Sequence, residues 1–247
     1  TVISACTSST QAIALAFKSI SRGDTDVVLT GGTDSILNLM AYTAFGKLGV
    51  IAKSNKEIHK YCMPFDKNRT GALVGEAAGL CLMVGEEFVK KHKLSPKFEM
   101  IGYGNSLDGY KITSADPTGK GMKAVVDRAI KMSGISSSDI DYVNLHGTGT
   151  RLNDELELSS FLSVVGEEGK SISVSSTKSR HGHAIAAAGI QEFNLLCKCM
   201  ENNFVPGTSN LETPVIEDGI DLPKENKEKE LNIGMTNNFA FGGVNTS

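Results

Sequence analysis

The chain has 247 residues, 25 Lys and Arg against 28 Asp and Glu, a net charge of −3 and 40% hydrophobic residues. That length and apolar content suit one large domain or two small ones with a sizeable core. The near-neutral balance excludes a global basic field that would recruit nucleic acid, and no apolar run has the length of a membrane span or the flanks of a secretory signal.

In chain order, TQAIALAFKSISRG reads as an amphipathic helix closed by Gly23, and DVVLTGG as a buried strand. Residues 71–83, GALVGEAAGLCLM, read as a glycine-punctuated strand pair, and EEFVKKHK as a short charged helix. Lys97 to Tyr103 starts a further strand, and MKAVVDRAIKMSG is an amphipathic helix. The order then repeats: DYVNLHG as strand, NDELELSSFLSVVG as helix, SISVSS as strand, IAAAGIQEFNLLCKCMENN as helix and LNIGMTNNF as a late strand. This alternation predicts a mixed or parallel sheet with helices on its faces. The two strand–helix series meet near 90–96, and the polar stretch 212–230 is expected to be a solvated surface connection. The five cysteines (Cys6, Cys62, Cys81, Cys197, Cys199) are odd in number and scattered, which fits a reducing, cytoplasmic setting better than a disulfide framework. Cys197 and Cys199 lie in a helical pattern with no histidine cluster beside them, so they read as buried helix cysteines rather than zinc ligands.

Four stretches carry residues suited to chemistry. Cys6 falls where VISA is expected to end a strand and Thr7 to Thr10 to open a helix. A helix N-terminus lowers a thiol pKa from its free value of about 8.5, although a cysteine among the small residues Ala5, Ser8 and Ser9 also suits plain packing. LHGTGT puts His146 directly after a strand, at the end where α/β folds place ligands. Gly147 and Gly149 allow close backbone approach, and Thr148 and Thr150 offer hydroxyls to a polar substrate arm; a threonine-capped turn is the alternative. SSTKSRHGHAIAAAG gathers Lys178, His181 and His183, a poor set for an apolar core and a weak one for zinc. Glu192, on the next helix, is placed to pair with Lys178. In NNFAFGGVN, Gly242 and Gly243 free backbone N–H groups to face an anion or a polarised carbonyl, while Phe239 and Phe241 are apolar enough to cover an acyl group.

Taken together and in this order, ACTSS, HGTGTxxND, TKSxxGHxxxAAG and NNFxFGGxN resemble the β-ketoacyl-[acyl carrier protein] synthases of the elongating type, condensing enzymes of the thiolase fold. FDKNRTGALVGEAAG (65–79) is similar to an internal signature of that family, and the resemblance runs along essentially the whole chain. It implies a thiolase-like α/β fold layered α-β-α-β-α and incomplete at the N-terminus, with the last strand also missing. Residues 1–94 would be the remainder of the first half, carrying the nucleophile, and 95–247 the second half, carrying both histidines. The resemblance makes Cys6 the acceptor of the acyl chain, and His146 and His183 the pair that assists malonyl decarboxylation. Lys178 and Glu192 become the supporting ion pair, and the backbone N–H groups of Cys6 and Phe241 the oxyanion hole. Thr148, Thr150 and Thr113 would bind the pantetheine arm, and Phe45 and Phe241 would gate the acyl pocket. It implies no metal and no cofactor beyond the phosphopantetheine carried by the substrates. The implied partners are an acyl carrier protein and a second, identical or related, synthase subunit.

Departures from the family pattern are Arg180 and His181 beside His183, Ala77 in GEAAG and Ala240 in the FGG loop. They leave acyl-chain preference open, as does the unreadable depth of the pocket, and Lys111, Lys120 and Lys123 form only a faint basic cluster for a carrier protein. The chief rival is a non-catalytic, chain-length-factor-like partner subunit, whose mark is loss of the nucleophilic cysteine; Cys6 is present. A cysteine hydrolase would not need two histidines and a lysine. A thiolase uses a second catalytic cysteine late in the chain, whereas Cys199 lies in a helix before the FGG loop. A ketoacyl synthase III would carry an asparagine near the position of His183.

Overall fold

The structure is a computed structural model that describes residues 1–53, 57–216 and 218–247. A 3₁₀ turn, Ala5–Thr7, runs directly into helix α1 (Ser8–Ser21), followed by strand β1 (Val27–Asp34) and helix α2 (Leu39–Lys47). Strand β2 (Ala77–Val84), helix α3 (Glu86–His92), strand β3 (Asn105–Leu107) and helix α4 (Lys120–Ser133) come next. The second half continues with β4 (Tyr142–Asn144), α5 (Arg151–Val165), β5 (Ser173–Ser175), the single turn α6 (Lys178–His181) and α7 (Ala188–Asn202). It closes with β6 (Phe204–Val205), β7 (Lys227–Glu228), β8 (Gly234–Thr236), β9 (Asn238–Phe239) and β10 (Val244–Thr246).

These elements stack in layers. β1 and β2 form an antiparallel pair in register from Val27↔Val84 to Asp34↔Ala77. α1 and α7 pack on one face of that pair, and α7 also packs on β8. β4 lies at the centre of a parallel trio, Tyr142 opposite Ser173 and Gly234, Asn144 opposite Ser175 and Thr236. Side chains alternate across a strand, and β4 uses both faces. Tyr142 joins a cluster with Leu196 and Cys199 of α7, while Val143 and Leu145 join the main core with Val125 of α4 and Leu158 and Phe161 of α5. The order sheet, helix pair, sheet, helix pair is the thiolase-like layering that the motifs implied. β3, β10 and β9 add an antiparallel group beside it. Among the described residues, no helix is long and apolar enough to cross a membrane.

Five local expectations need correction. VISA (2–5) is not a strand: Val2 to Ser4 have no ladder partner among the described residues, and Ala5 opens the 3₁₀ turn. GALVGEAAGLCLM is one strand rather than a pair: only Ala77 onward pairs along its length, and Ala72 and Val74 make single bridges to Ile51 and His183. Lys97 to Tyr103 carries no strand; the short strand there begins at Asn105. β1 is not buried, since the face away from α1 leaves Leu29 64% exposed beside Leu82, also 64% exposed. The stretch 212–230, of which Glu217 lies outside the described residues, is only partly a solvated connection. Val215, Ile216, Ile220 and Leu222 pack against the main core.

The helix pair in the middle layer makes a very close approach. A Cβ added to Gly189 of α7 would stand 2.7 Å from the Thr10 backbone nitrogen and 1.9 Å from its Oγ1, so only glycine lets α7 lie this near the start of α1. That crossing places Cys6, at the head of α1, against the residues that precede and begin α7.

Candidate active site

Cys6 sits in the turn that leads into α1, and its side chain is buried. Ala5 has φ +47, a left-handed conformation that costs a non-glycine residue about 1–3 kcal/mol and that clusters at functional sites. Hydroxyls hold the turn: the Thr7 Oγ1 donates to the Ser4 carbonyl at 2.8 Å, the Ser8 Oγ to the Ala5 carbonyl at 2.7 Å, and the Ser4 N–H to the Ser8 Oγ at 2.9 Å. The backbone N–H groups of Cys6 itself and of Phe241, brought in by the loop between β9 and β10, favour the charged form of the sulfur.

The expectation that the helix start lowers the thiol pKa fails. Burial pushes Cys6 up to about 12, against the opposing pull of Lys178 and of the two N–H groups. The helix end is worth a fraction of a kcal/mol to a charge, and removal from water costs more. The resting side chain is therefore a thiol, and its proton has to leave as it reacts.

His146 follows β4 in a loop tied down from α5. The Glu157 carboxylate accepts the His146 N–H at 2.7 Å and the Gly147 N–H at 2.8 Å. Asp154 accepts the Gly149 N–H at 3.1 Å and the Phe65 N–H at 2.8 Å, with the Arg69 Nε 3.6 Å away. Burial raises both acids, Glu157 to about 8 and Asp154 to about 6. The threonines do not cap α5; the Thr148 and Thr150 hydroxyls bond each other at 2.9 Å. Gly149 has φ +82 and passes so near the chain that a Cβ would meet the Gly71 carbonyl at 2.7 Å.

His183 is clamped by the stretch after Gly71. Its N–H donates to the Leu73 carbonyl at 2.7 Å and its carbonyl accepts the Gly75 N–H at 2.9 Å. Both ring nitrogens are buried without a partner among the described residues. The rings of His146 and His183 meet edge to face with centroids 5.1 Å apart. Burial, reinforced by the nearby Lys178 charge, holds both well below the usual histidine range, so both are neutral at pH 7.

Lys178, the first residue of α6, is fully buried in an ion pair with the fully buried Glu192 of α7. Its Nζ also lies 3.4 Å from the His146 Nδ1. An ammonium has only donors, so this contact favours an unprotonated Nδ1. One donor atom from each of Cys6, His146 and His183 lies within 4.8 Å of the others, a set that could hold a soft cation by ligand type.

The structure thus brings Cys6, His146, His183, Lys178, Glu192 and Phe241 together. Thr148 is buried and Thr150 half-buried in the adjoining loop. Thr113 is exposed, in a loop whose Ile112 carbonyl accepts the Gly242 N–H at 2.6 Å. Phe45 is half-buried on α2, a helix with no fully buried residue, and no ring contact among the described residues ties it to Cys6. Asp154, Glu157 and Asn238 were given no role from sequence, although two acids three residues apart just after HGTGT mark one helix face aimed back at that loop. His181 is structural: its ring bonds the Gly182 carbonyl and the Thr177 hydroxyl. Of the other cysteines, the Cys62 Sγ donates to the Lys178 carbonyl at 3.3 Å, and Cys199 packs against Tyr142.

Comparison with known proteins agrees with this arrangement. Residues 1–87 match the beta-ketoacyl synthase N-terminal domain and residues 98–212 the beta-ketoacyl synthase C-terminal domain. The chain is 36% identical to a 3-oxoacyl-[acyl-carrier-protein] synthase 2 of Rhizobium meliloti over 248 aligned positions, which cover 100% of this chain and 59% of the relative. It superposes with a TM-score of 0.94 and 27% identity on a chain from a type II polyketide synthase acyl-carrier protein in complex with its ketosynthase, covering 98% of this chain and 60% of that one. For a chain from a ketosynthase in complex with its chain length factor from Xenorhabdus doucetiae, the TM-score is 0.87 and the identity 31%, over 99% of this chain and 58% of that one. The chain spans about three fifths of the length of the curated relatives it matches. With both family domains matched in order and a buried Cys-His-His cluster at their meeting point, this chain belongs to the β-ketoacyl synthase family.

Proposed function

We propose that the chain carries the reaction centre of a 3-oxoacyl-[acyl carrier protein] synthase, which extends an acyl chain by decarboxylative condensation with a malonyl unit. The observation that carries this reading is the approach of Cys6, His146 and His183 within 4.8 Å, in a setting that keeps both imidazoles neutral. In the first half-reaction the Cys6 thiol attacks an acyl thioester on a carrier protein. Its proton passes to the neutral His183, whose ring nitrogens have no other partner among the described residues. The N–H groups of Cys6 and Phe241 stabilise the tetrahedral oxyanion, each worth about 3 kcal/mol. The carrier thiol then leaves with the proton from His183, and the acyl group remains on Cys6.

In the second half-reaction the malonyl thioester loses CO₂. The electron pair of the broken C–C bond moves into the thioester as an enolate, whose oxygen accepts hydrogen bonds from His146 Nε2–H and from His183. The enolate carbon attacks the acyl thioester on Cys6, the new C–C bond forms, and the sulfur leaves and regains a proton from solvent. Neutral imidazoles suit this step, since they stabilise the developing charge by donation in a site shut off from water.

The substrates bring their own phosphopantetheine, and the polar Thr148–Thr150 pair suits that arm; Thr113, Phe45 and Phe241 are candidates for the pantetheine and acyl contacts. An acyl carrier protein and a second synthase subunit, identical or related, are the partners this reading requires. A reducing cytoplasm is the compartment that suits five free cysteines. The chain-length-factor reading is disfavoured by the complete Cys-His-His-Lys set.

Intact-mass measurement of the full-length natural protein after exposure to acyl-loaded carrier protein tests this. Wild type should gain the mass of one acyl group and Cys6→Ala should gain none. A wild type that never gains mass, with any chain length offered, would overturn the synthase reading in favour of the non-catalytic subunit.

A further inference from the structure

Asn238, the first residue of β9, is fully buried and joins three separate parts of the site. Its Nδ2 donates to the Glu192 Oε2 at 2.6 Å and lies 3.4 Å from the His146 Nδ1. Its Oδ1 accepts from the Thr10 hydroxyl, on the first turn of the helix headed by Cys6. These partners fix which way the amide faces. A hydroxyl that donates to Oδ1 on one side and a carboxylate that can only accept on the other leave a single sensible orientation, with the NH₂ group toward Glu192 and His146.

We propose that Asn238 is a positioning residue for condensation: with Lys178 it holds His146 in the tautomer that keeps Nδ1 bare and Nε2 protonated. The inference rests on the synthase reading for its consequence but not for its geometry. Lys178 alone is a weak director, since its ammonium is engaged by Glu192 and stands 3.4 Å from Nδ1. A second N–H group at the same distance from the same nitrogen makes a protonated Nδ1 meet two donors, and only the bare nitrogen escapes that clash. In a buried network the cost of a donor facing a donor is not relieved by water.

The consequence falls on one half-reaction. The enolate oxygen needs N–H donors where its charge develops, and Nε2–H of His146 is one of them. In the other tautomer Nε2 would aim a lone pair at that oxygen and oppose the charge. Acyl transfer to Cys6 makes no use of His146, because its oxyanion is held by backbone N–H groups.

Asn238→Leu, which keeps the branched shape and removes both polar ends, separates the two steps in the full-length natural protein. Release of CO₂ from malonyl-carrier protein should fall about tenfold to a hundredfold, the lower end of or below the roughly 10²–10⁴-fold that a positioned acid–base group itself contributes. The rate of mass gain at Cys6 from acyl-carrier protein should stay within about twofold of wild type, and Asn238→Gln or Asn238→Ser should recover part of the loss if either restores a donor to Nδ1. Equal loss in both half-reactions would mean that Asn238 merely holds α1 in place, and would overturn the assignment. So would full retention of CO₂ release.

A measurement on wild type alone covers the case in which the variant fails to fold. With ¹⁵N-labelled histidine, the His146 ring, assigned by its loss in His146→Ala, should show an unprotonated Nδ1 and a protonated Nε2. The reverse pattern would refute the proposal whatever the activity. Correct ring signals with no acyl transfer would instead count against the synthase reading and leave the tautomer assignment standing.

Discussion

Glu157 shows how much of the site rests on one buried side chain. It accepts the N–H groups of His146 and Gly147, and burial raises its pKa from an ordinary 4.5 to about 8. The folded protein then holds a proton that the unfolded chain gives up between those values. Its contribution to stability is complete below about pH 4.5 and is lost as the pH rises through about 8. Glu157→Gln does not titrate, so the unfolding free energy of wild type minus that of the variant should shrink from pH 5 to pH 8.5 in paired urea titrations. A constant difference would show that Glu157 does not carry the proton. The gathering of Cys6, His146, His183 and Lys178 was legible from the four motifs taken together, whereas Cys6 alone also suited packing and HGTGT alone a capped turn. The Cys6 pKa was not legible, since desolvation depends on how deeply the turn is packed and sequence carries no depth.

The decisive element contact is the crossing of α1 and α7. Gly189→Ala would drive a methyl group into Thr10 and its backbone nitrogen. Overpacking of this kind costs about 1–3 kcal/mol, and relief by sliding α1 would shift Cys6 away from Phe241 and Thr10 away from Asn238. We expect a lowered melting temperature and slower acylation of Cys6 in the same variant; an unchanged acylation rate with normal melting would mean that the helices have room to spare. The amphipathic helices were legible because their apolar spacing is local. The strands expected at 2–5, 71–76 and 97–103 did not form, since an extended apolar run becomes a strand only when a partner lies beside it. The Leu73 and Gly75 backbone, read as strand, instead spends its hydrogen bonds on His183.

At the scale of the molecule, the face of the β1–β2 pair turned away from α1 and α7 is apolar and open. Leu29, Leu80 and Leu82 are each more than 60% exposed on it. A contiguous apolar face of this kind marks an interaction surface or an aggregation liability. The 247-residue chain on its own is expected to self-associate, and Leu82→Glu should shift its mass in light scattering toward the monomer without loss of helical signal. A wild-type chain that is already monomeric would show that this face tolerates water.

The family of this protein was legible in the order of its motifs, since ACTSS, HGTGTxxND, TKSxxGHxxxAAG and NNFxFGGxN together resemble the β-ketoacyl synthases whose two domains the chain matches. The alternation of helix and strand patterns likewise indicated the layered α/β class, because side-chain periodicity is set within a few residues. Tertiary structure decided what depends on distance across the chain. It left Cys6 a thiol, secured the His146 loop with Asp154 and Glu157, and set Asn238 between the helix headed by Cys6 and the His146 ring. Burial and long-range hydrogen bonds arise only when residues far apart in sequence meet, so no local pattern records them.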